Sequence, residues 1–423
     1  MMPLRTSAFF FLMMAQLVVA MGYGVALPAL PLFLEGLLAD PVRSVPWHTG
    51  LLTGVYLLAL FFFAPLWGRW SDRYGRRPVI LIGLAGSALA LVIFGLAQGL
   101  AVAYVARVLG GAFAAAVLPV ALAYVSDASA PGMRARRFAW LTAASALGFL
   151  LGPVLGGWLS GADAAAQVGA ATSPGSVLSI PLFVVAVLTA AVGVSSYVRL
   201  PEVAESGGPR LNDRPRLSST RSPFLVPLLV LGFLATFGLG AFEVSVTLLG
   251  RKILGLSPSG IGLLFTTCSL VMIAAQLLVF SPGSRRFDGT CLLAPAFVLM
   301  AVALGLQPLT AQIQTLLPLV GLLAAAMGVL APTLAFLVSL SAGVAQGAAL
   351  GQLAAMSSLG QALGSVSAGW LFAIVPQASF WFTAALLLIG AVIGLITGRK
   401  FQKLVEEDGA DTAKRLQGDG AKQ

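Results

Sequence analysis

The sequence predicts an all-α membrane protein with twelve transmembrane helices in two six-helix, pseudo-symmetric halves. Three observations predict it. Hydrophobic residues make up 58% of the 423 residues and charged residues only 9%, whereas soluble domains carry about a quarter charged residues. Apolar stretches of roughly 20 residues, the length a helix needs to cross a bilayer, recur twelve times. The later half of the chain also repeats the earlier half at a fixed offset.

In chain order the apolar stretches cover 8–36, 49–67, 78–97, 101–125, 138–160, 178–198, 224–249, 260–281, 291–307, 313–338, 348–374 and 379–398. The first is too long for the apolar core of a signal peptide and lacks a cleavage signature, so it reads as a retained helix. At an offset of 212 residues, Ser145 to Trp158 aligns with Ser357 to Trp370, with eight of fourteen pairs identical, and Gly50-Leu-Leu aligns with Gly262-Leu-Leu. These matches fall in spans five and eleven and at the starts of spans two and eight. The chain therefore reads as a six-span half over 1–200 and a second over 223–398. Residues 201–222, rich in Ser, Pro, Gly and Arg, read as a mobile linker that cannot bury much apolar surface. Residues 399–423 read as a polar tail with a short helix at its start. Parallel duplication about an axis along the membrane normal places a solute site between the halves, near the bilayer midplane.

The net charge of +10 is distributed as a topology signal. Of the 25 Lys and Arg, only Arg43, Arg251 and Lys252 fall in loops at one end, and Arg107 lies inside a span; the rest gather at the other end. The positive-inside rule then places that basic end and both termini in the cytoplasm, in a chain that spans the inner membrane several times. Nucleic acid is not a partner. Cys268 and Cys291, in or at the edge of apolar spans, read as core packing. His48, the single histidine, is placed in a short external loop, and no His, Cys or carboxylate cluster offers a metal site. No cofactor is expected. No glycine precedes any of the five lysines, so a phosphate-binding Gly-x-x-x-x-Gly-Lys loop is absent. With His48 alone there is no nucleophile–base pair either, and the chain does not read as an enzyme.

Candidate functional residues are few. Between spans two and three lies Gly68-Arg-Trp-Ser-Asp72-Arg73-Tyr-Gly75-Arg76-Arg77. Gly68 and Gly75 permit tight backbone geometry where two helices reverse. Asp72 can pair with nearby arginines or cap a helix, and Arg73, Arg76 and Arg77 can bond carboxylates or lipid phosphates. A plain topology anchor is the simpler reading. Arg107 lies well into span four, where a charge needs a cavity or a partner, although from its depth it can also snorkel to the interface. In span five, Gly148, Gly152 and Gly156 make a smooth face for close helix approach, beside Pro153, which can bend the helix, and Gly157. Glu243 is the one carboxylate well inside a predicted span. Withdrawal from water disfavours the charged form of a carboxyl, so Glu243 is the candidate for taking up and releasing protons; a purely structural carboxylate is the alternative. Arg107 and Glu243 lie at similar depths, and a direct pair between them stays open. Gln16, Tyr23, Gln276 and Gln361, with the aromatic Phe149 and Phe237, are candidates to line a cavity, and each reads as readily as packing. A mostly apolar cavity with one acid and one base suits an amphipathic organic molecule.

Taken together, these motifs resemble the major facilitator superfamily, in particular its twelve-helix drug:proton antiporters of the tetracycline and multidrug exporter type. The resemblance rests on the Gly-x-x-x-Asp-Arg-x-Gly-Arg-Arg pattern of 68–77, on Arg107-x-x-x-Gly111 and on the span-five glycines. Pro28-Ala-Leu-Pro31, the Asp127 to Arg134 turn and Leu200-Pro201-Glu202 add to it. It is close over spans one to six and looser beyond. It implies the major facilitator fold and a cytoplasmic latch made by Gly68, Asp72, Arg73, Gly75, Arg76 and Arg77 that favours the outward-open state. It also implies a part for Arg107 in proton coupling, and an antiporter role for the helix motif Gly148, Gly152, Pro153, Gly156 and Gly157. One departure matters: the acids of tetracycline exporters in helices one and three fall near Val19 and Ala90, which puts more weight on Glu243. The repeat counterpart of the latch, Ser281 to Gly289, has lost the spacing, so the latch is expected to be one-sided, with Asp72 and its arginines holding one half against the other. The expected function is proton-driven export of an amphipathic small molecule, a drug or a siderophore, by a monomer embedded in membrane lipid. Proton-coupled import of a small organic solute is the alternative.

Overall fold

The structure, a computed structural model, describes residues 6–129, 131–160, 176–201, 224–279, 289–341 and 346–420. These residues form helices and no strands. The helices are α1 (Thr6–Gly24), α2 (Leu30–Leu37), α3 (Pro41–Tyr74), α4 (Arg76–Gly95), α5 (Leu100–Ala114), α6 (Leu118–Ala128), α7 (Pro131–Leu159) and α8 (Ser176–Arg199). They continue with α9 (Leu225–Leu248), α10 (Pro258–Val279), α11 (Gly289–Leu306), α12 (Ile313–Ser341), α13 (Gln346–Ile374) and α14 (Pro376–Gly420). Eleven helical segments among the described residues are long and apolar enough to cross a membrane. The twelfth predicted span is α13, of comparable length but richer in Gly, Ser and Gln.

Several predicted elements differ in detail. The first span is broken at Gly24, because Pro28 and Pro31 cannot donate the backbone bonds that would carry α1 into α2. The fourth span breaks between α5 and α6, where Ala116 and Val117 bond three residues back and Pro119 follows. The presumed loop at 68–77 is nearly all helix: α3 runs to Tyr74 and α4 starts at Arg76, so the reversal takes place at Gly75 alone. Its φ of 94° explains why glycine stands there. Gly68, by contrast, lies inside α3 with open space where a side chain would point. His48 is not in a loop but in the first turns of α3, bonded to the Tyr104 hydroxyl at 2.7 Å. The tail after Arg399 continues α14 as helix to Gly420, as a run of Lys, Glu, Ala, Leu and Gln without proline favours. All but the first residue of the predicted linker 201–222, and all but the last of the latch counterpart Ser281 to Gly289, lie outside the described residues.

Large apolar side chains such as Phe62, Trp158 and Leu278 point outward, as a bundle solvated by lipid requires. Inside, glycines set the helix spacing. Gly148 and Gly152 of α7 lie against the carbonyls of Leu17 and Met21 on α1, Gly156 lies against that of Val25 just past its end, and Gly360 and Gly364 of α13 lie against those of Phe233 and Phe237 on α9. Two longer seams join the first six spans to the last six: α3 along α13, and α7 along α10. A Cβ on Gly50 would stand 2.9 Å from the Gly369 Cα, and one on Gly157 would stand 3.3 Å from the Gly262 Cα. Gly50 and Gly262 are repeat equivalents, as are Gly157 and Gly369, so one contact is made twice around the pseudo-twofold.

Both seams close the end of the bundle remote from the arginine-rich 68–77 turn. There a five-residue π-helix, Leu249–Ile253, ends α9 and carries Arg251 and Lys252. Arg251 forks onto the Glu35 carboxylate of α2 at 2.7 Å, and the Lys252 ammonium donates to the carbonyls of Pro41 at 3.0 Å and Val42 at 2.6 Å.

Candidate functional site

Glu243 sits on α9, where that helix faces α1 and α13 near the middle of the bundle, and only 6% of its surface is exposed. A carboxylate in this setting must be supplied with donors, and both sides of the seam supply them. The Tyr23 hydroxyl, from α1, donates to Oε2 at 2.7 Å. The Gln361 amide, from α13, donates to Oε1 at 3.0 Å and to Oε2 at 3.1 Å. Three of the residues expected from sequence are thus brought together on one group.

Arg107 does not pair with Glu243, and snorkelling is excluded because it is 3% exposed. Its Nε donates to the Leu52 carbonyl of α3 at 3.0 Å. The guanidinium lies over three rings, 5.1 Å from the centroid of Tyr56, 5.4 Å from Phe94 and 5.7 Å from Tyr23. Aromatic faces attract a cation through their quadrupole, the more so away from water. Arg107 and Glu243 therefore communicate through Tyr23, whose ring faces the cation and whose hydroxyl holds the acid. Tyr23 is itself gripped by Tyr56, at 5.1 Å between centroids, and by Phe149, edge-on at 5.5 Å.

The remaining candidates are more peripheral. Gln16 is buried but donates to Ser145 at 3.1 Å, tying α1 to α7. Phe237 packs with Phe233 and Phe382 on the second-half side, and Gln276 is half-buried on α10 without a bond to Glu243. Beside Arg107 lies a cavity of about 20 Å³ lined in part by Val19, Ser87 and Ala90. It has room for about one water molecule and not for an organic solute. Val19 and Ala90, the two positions where the tetracycline pattern is lost, thus place small apolar groups beside the arginine.

In the 68–77 segment, Arg76 bridges Asp72 at 2.5 Å and Asp127 of α6 at 3.1 Å, and also donates to Ser71. Arg77 donates to the Tyr197 carbonyl of α8 and stacks on that ring, while Arg73 lies over Tyr74. Asp72 caps no helix. Each of these contacts stays within the first six spans. Asp72 and Arg76, one helical turn apart on either side of Gly75, satisfy each other locally.

Sequence reading missed Tyr56 and Phe94, since aromatic residues in apolar helices carry no signal of what they face. It also missed the Glu35–Arg251 pair, for which a signal existed: opposite charges clustered at the end that is otherwise poor in charge.

The family model described as Major Facilitator Superfamily matches residues 12–257 and again 228–418. Among curated proteins, Multidrug resistance protein 2 of Bacillus subtilis (strain 168) is 26% identical over 411 residues, covering 92% of this chain and 95% of that protein. The class G tetracycline resistance protein of Vibrio anguillarum is 40% identical over 161 residues, 38% of this chain and 40% of that protein. Among solved structures, a bacterial homolog to human lysosomal transporter Spinster, in an inward-facing and occupied conformation, superposes with a TM-score of 0.74. Sequence identity to it is 16%, with 95% of this chain and 98% of that one covered, and the likeness is one of fold.

Proposed function

This chain belongs to the major facilitator superfamily, and from that premise we propose that it is a proton-coupled exporter of amphipathic, drug-like molecules. The observation that carries this reading is Glu243: among the described residues the one buried carboxylate, at the seam between the two six-span halves, held by Tyr23 from one and Gln361 from the other. Proton-driven exchange needs a group that takes a proton on one side of the membrane and gives it up on the other, alternating with the substrate. A carboxyl whose surroundings change when the halves rock against each other meets that need. The aromatic ring that holds it, Tyr23, with Phe149 packed on that ring, suits a substrate with apolar surface. Relatives named for multidrug, tetracycline and quinolone resistance support export. The basic end and both termini then face the cytoplasm, and the Glu35–Arg251 end faces outward. The units that rock are 1–200 and 223–398, joined by 201–222.

The test uses inverted vesicles carrying the full chain and a panel of fluorescent lipophilic dyes and quinolones. Energised accumulation should exceed that of control vesicles for members of the panel and collapse when the proton gradient is dissipated. Accumulation that persists with every ion gradient abolished overturns the coupling, and no accumulation of any panel member overturns the substrate class.

A further inference from the structure

Tyr23 was expected only as cavity lining, and its geometry assigns it more. The phenol belongs to α1, in the first half, and its hydrogen bond ends on α9, in the second. That bond exists only while α1 and α9 are drawn together. What draws them together is the closed far end: the glycine seams, the Arg251 fork on Glu35 and the Lys252 bonds to α3. The phenol is also oriented independently of Glu243, with Tyr56 and Phe149 packed on its ring and Arg107 above it.

We propose that Tyr23 is a positioning residue that links the proton affinity of Glu243 to closure of the far end. The inference rests on the proton-coupling reading of Glu243 and adds a cause for the coupling. A phenol O–H donates more strongly to a carboxylate than to a carboxylic acid, and the Arg107 cation against the ring polarises that O–H further. With the far end closed, Glu243 has this donor. When the halves part there, α1 carries Tyr23 away and Glu243 keeps only Gln361, which travels with it in the second half. One hydrogen bond to a charged group is worth about tenfold or more in an equilibrium. Thermodynamic reciprocity then requires that protonation change the open–closed equilibrium by the same factor. Among the described residues, the other ionisable groups whose charge couples to Glu243 are Arg107 from α5 and Cys268 from α10, and Tyr56 from α3 lies against Arg107 and Tyr23. Arg107 and Tyr56 belong to the first half and move with Tyr23.

Difference infrared spectroscopy against pH on the full chain in lipid, without any substrate, tests this. The carboxylic C=O band of Glu243 is identified by its loss in Glu243→Gln. Tyr23→Phe keeps every ring contact and removes one hydroxyl, and it should change the frequency of the band and move its pH midpoint by about one unit or more. Glu35→Gln, which loosens the far end some distance from the band, should move the midpoint in the same sense, and should add nothing in the Tyr23→Phe background. A Tyr23→Phe midpoint equal to wild type overturns the role of Tyr23. A Glu35→Gln shift that is undiminished in the Tyr23→Phe background, or no Glu35→Gln shift at all, overturns the link to closure. If Glu243→Gln removes no band, Glu243 does not titrate and the proton-coupling reading fails with the inference. If the band is present but indifferent to Tyr23, only the inference fails.

Discussion

Arg107 shows how a buried charge is kept in a bundle nearly devoid of carboxylates. It has one carbonyl, Leu52, and three aromatic faces, each face worth about 0.5–2 kcal/mol when desolvated. A planar guanidinium can lie on rings and donate sideways at once, and a lysine ammonium, though equally charged, cannot. Arg107→Lys is therefore expected to lose about 1–3 kcal/mol of stability in thermal unfolding of the detergent-solubilised protein, and to lower energised transport about tenfold or more. Transport and melting both equal to wild type would mean that charge alone matters at this position. The sequence singled out Arg107 and Glu243 because charge inside an apolar helix is costly and visible. It did not reveal that they meet through Tyr23, because which faces of α1, α5 and α9 look at one another is decided by packing.

At the scale of elements, glycine spacing decides which helices approach closely. A Cβ at Gly156 would run into the Val25 carbonyl, which is backbone and cannot swing aside, whereas one at Gly193 of α8 would meet only the Leu84 Cβ at an ordinary 3.6 Å. Gly156→Ala is expected to cost about 1–3 kcal/mol by overpacking, despite the higher helix propensity of alanine. Gly193→Ala should be neutral or slightly stabilising, and a thermal melt of the two variants side by side checks the contrast. Equal melts would show that α1 and α7 adjust their spacing freely. Much of this layer was legible beforehand: the twelve spans, the α7 glycine face and the 212-residue repeat follow from apolar period and small-residue spacing. The breaks after Gly24 and Ala114 were not, although Pro28, Pro31 and Pro119 stand beside them, because proline in a membrane helix can kink it as readily as end it. The helical course of 68–74 was also hidden, since its charge marks it as wet without saying that α3 extends past the bilayer into water.

At the scale of the whole molecule, the duplication becomes mechanical. Gly50 against Gly369 and Gly157 against Gly262 are the same contact built twice, and both hold the far end shut, while the Asp72–Arg76–Asp127 cluster at the basic end is closed on itself in the first half. The cytoplasmic latch that the family resemblance implies for 68–77 would engage only when the far end opens, so the two ends should bias the equilibrium in opposite senses. A valine at Gly50 would drive its side chain into the Gly369 backbone and wedge the far end open. Asp72→Asn should weaken the latch of the open form and leave the far end more often shut. Ser365, fully buried beside Gly50, is the place to read this. With Cys268 and Cys291 replaced by serine, Ser365→Cys should react with an impermeant maleimide added outside faster in the Gly50→Val background and slower in the Asp72→Asn background. With both changes together its rate should return toward the parent, because each acts on one two-state equilibrium and their free energies add. Labelling that rises with Gly50→Val but ignores Asp72→Asn would reduce the arginine-rich turn to a topology anchor. Changes of the same sign at both ends would mean that the two halves do not rock as rigid bodies.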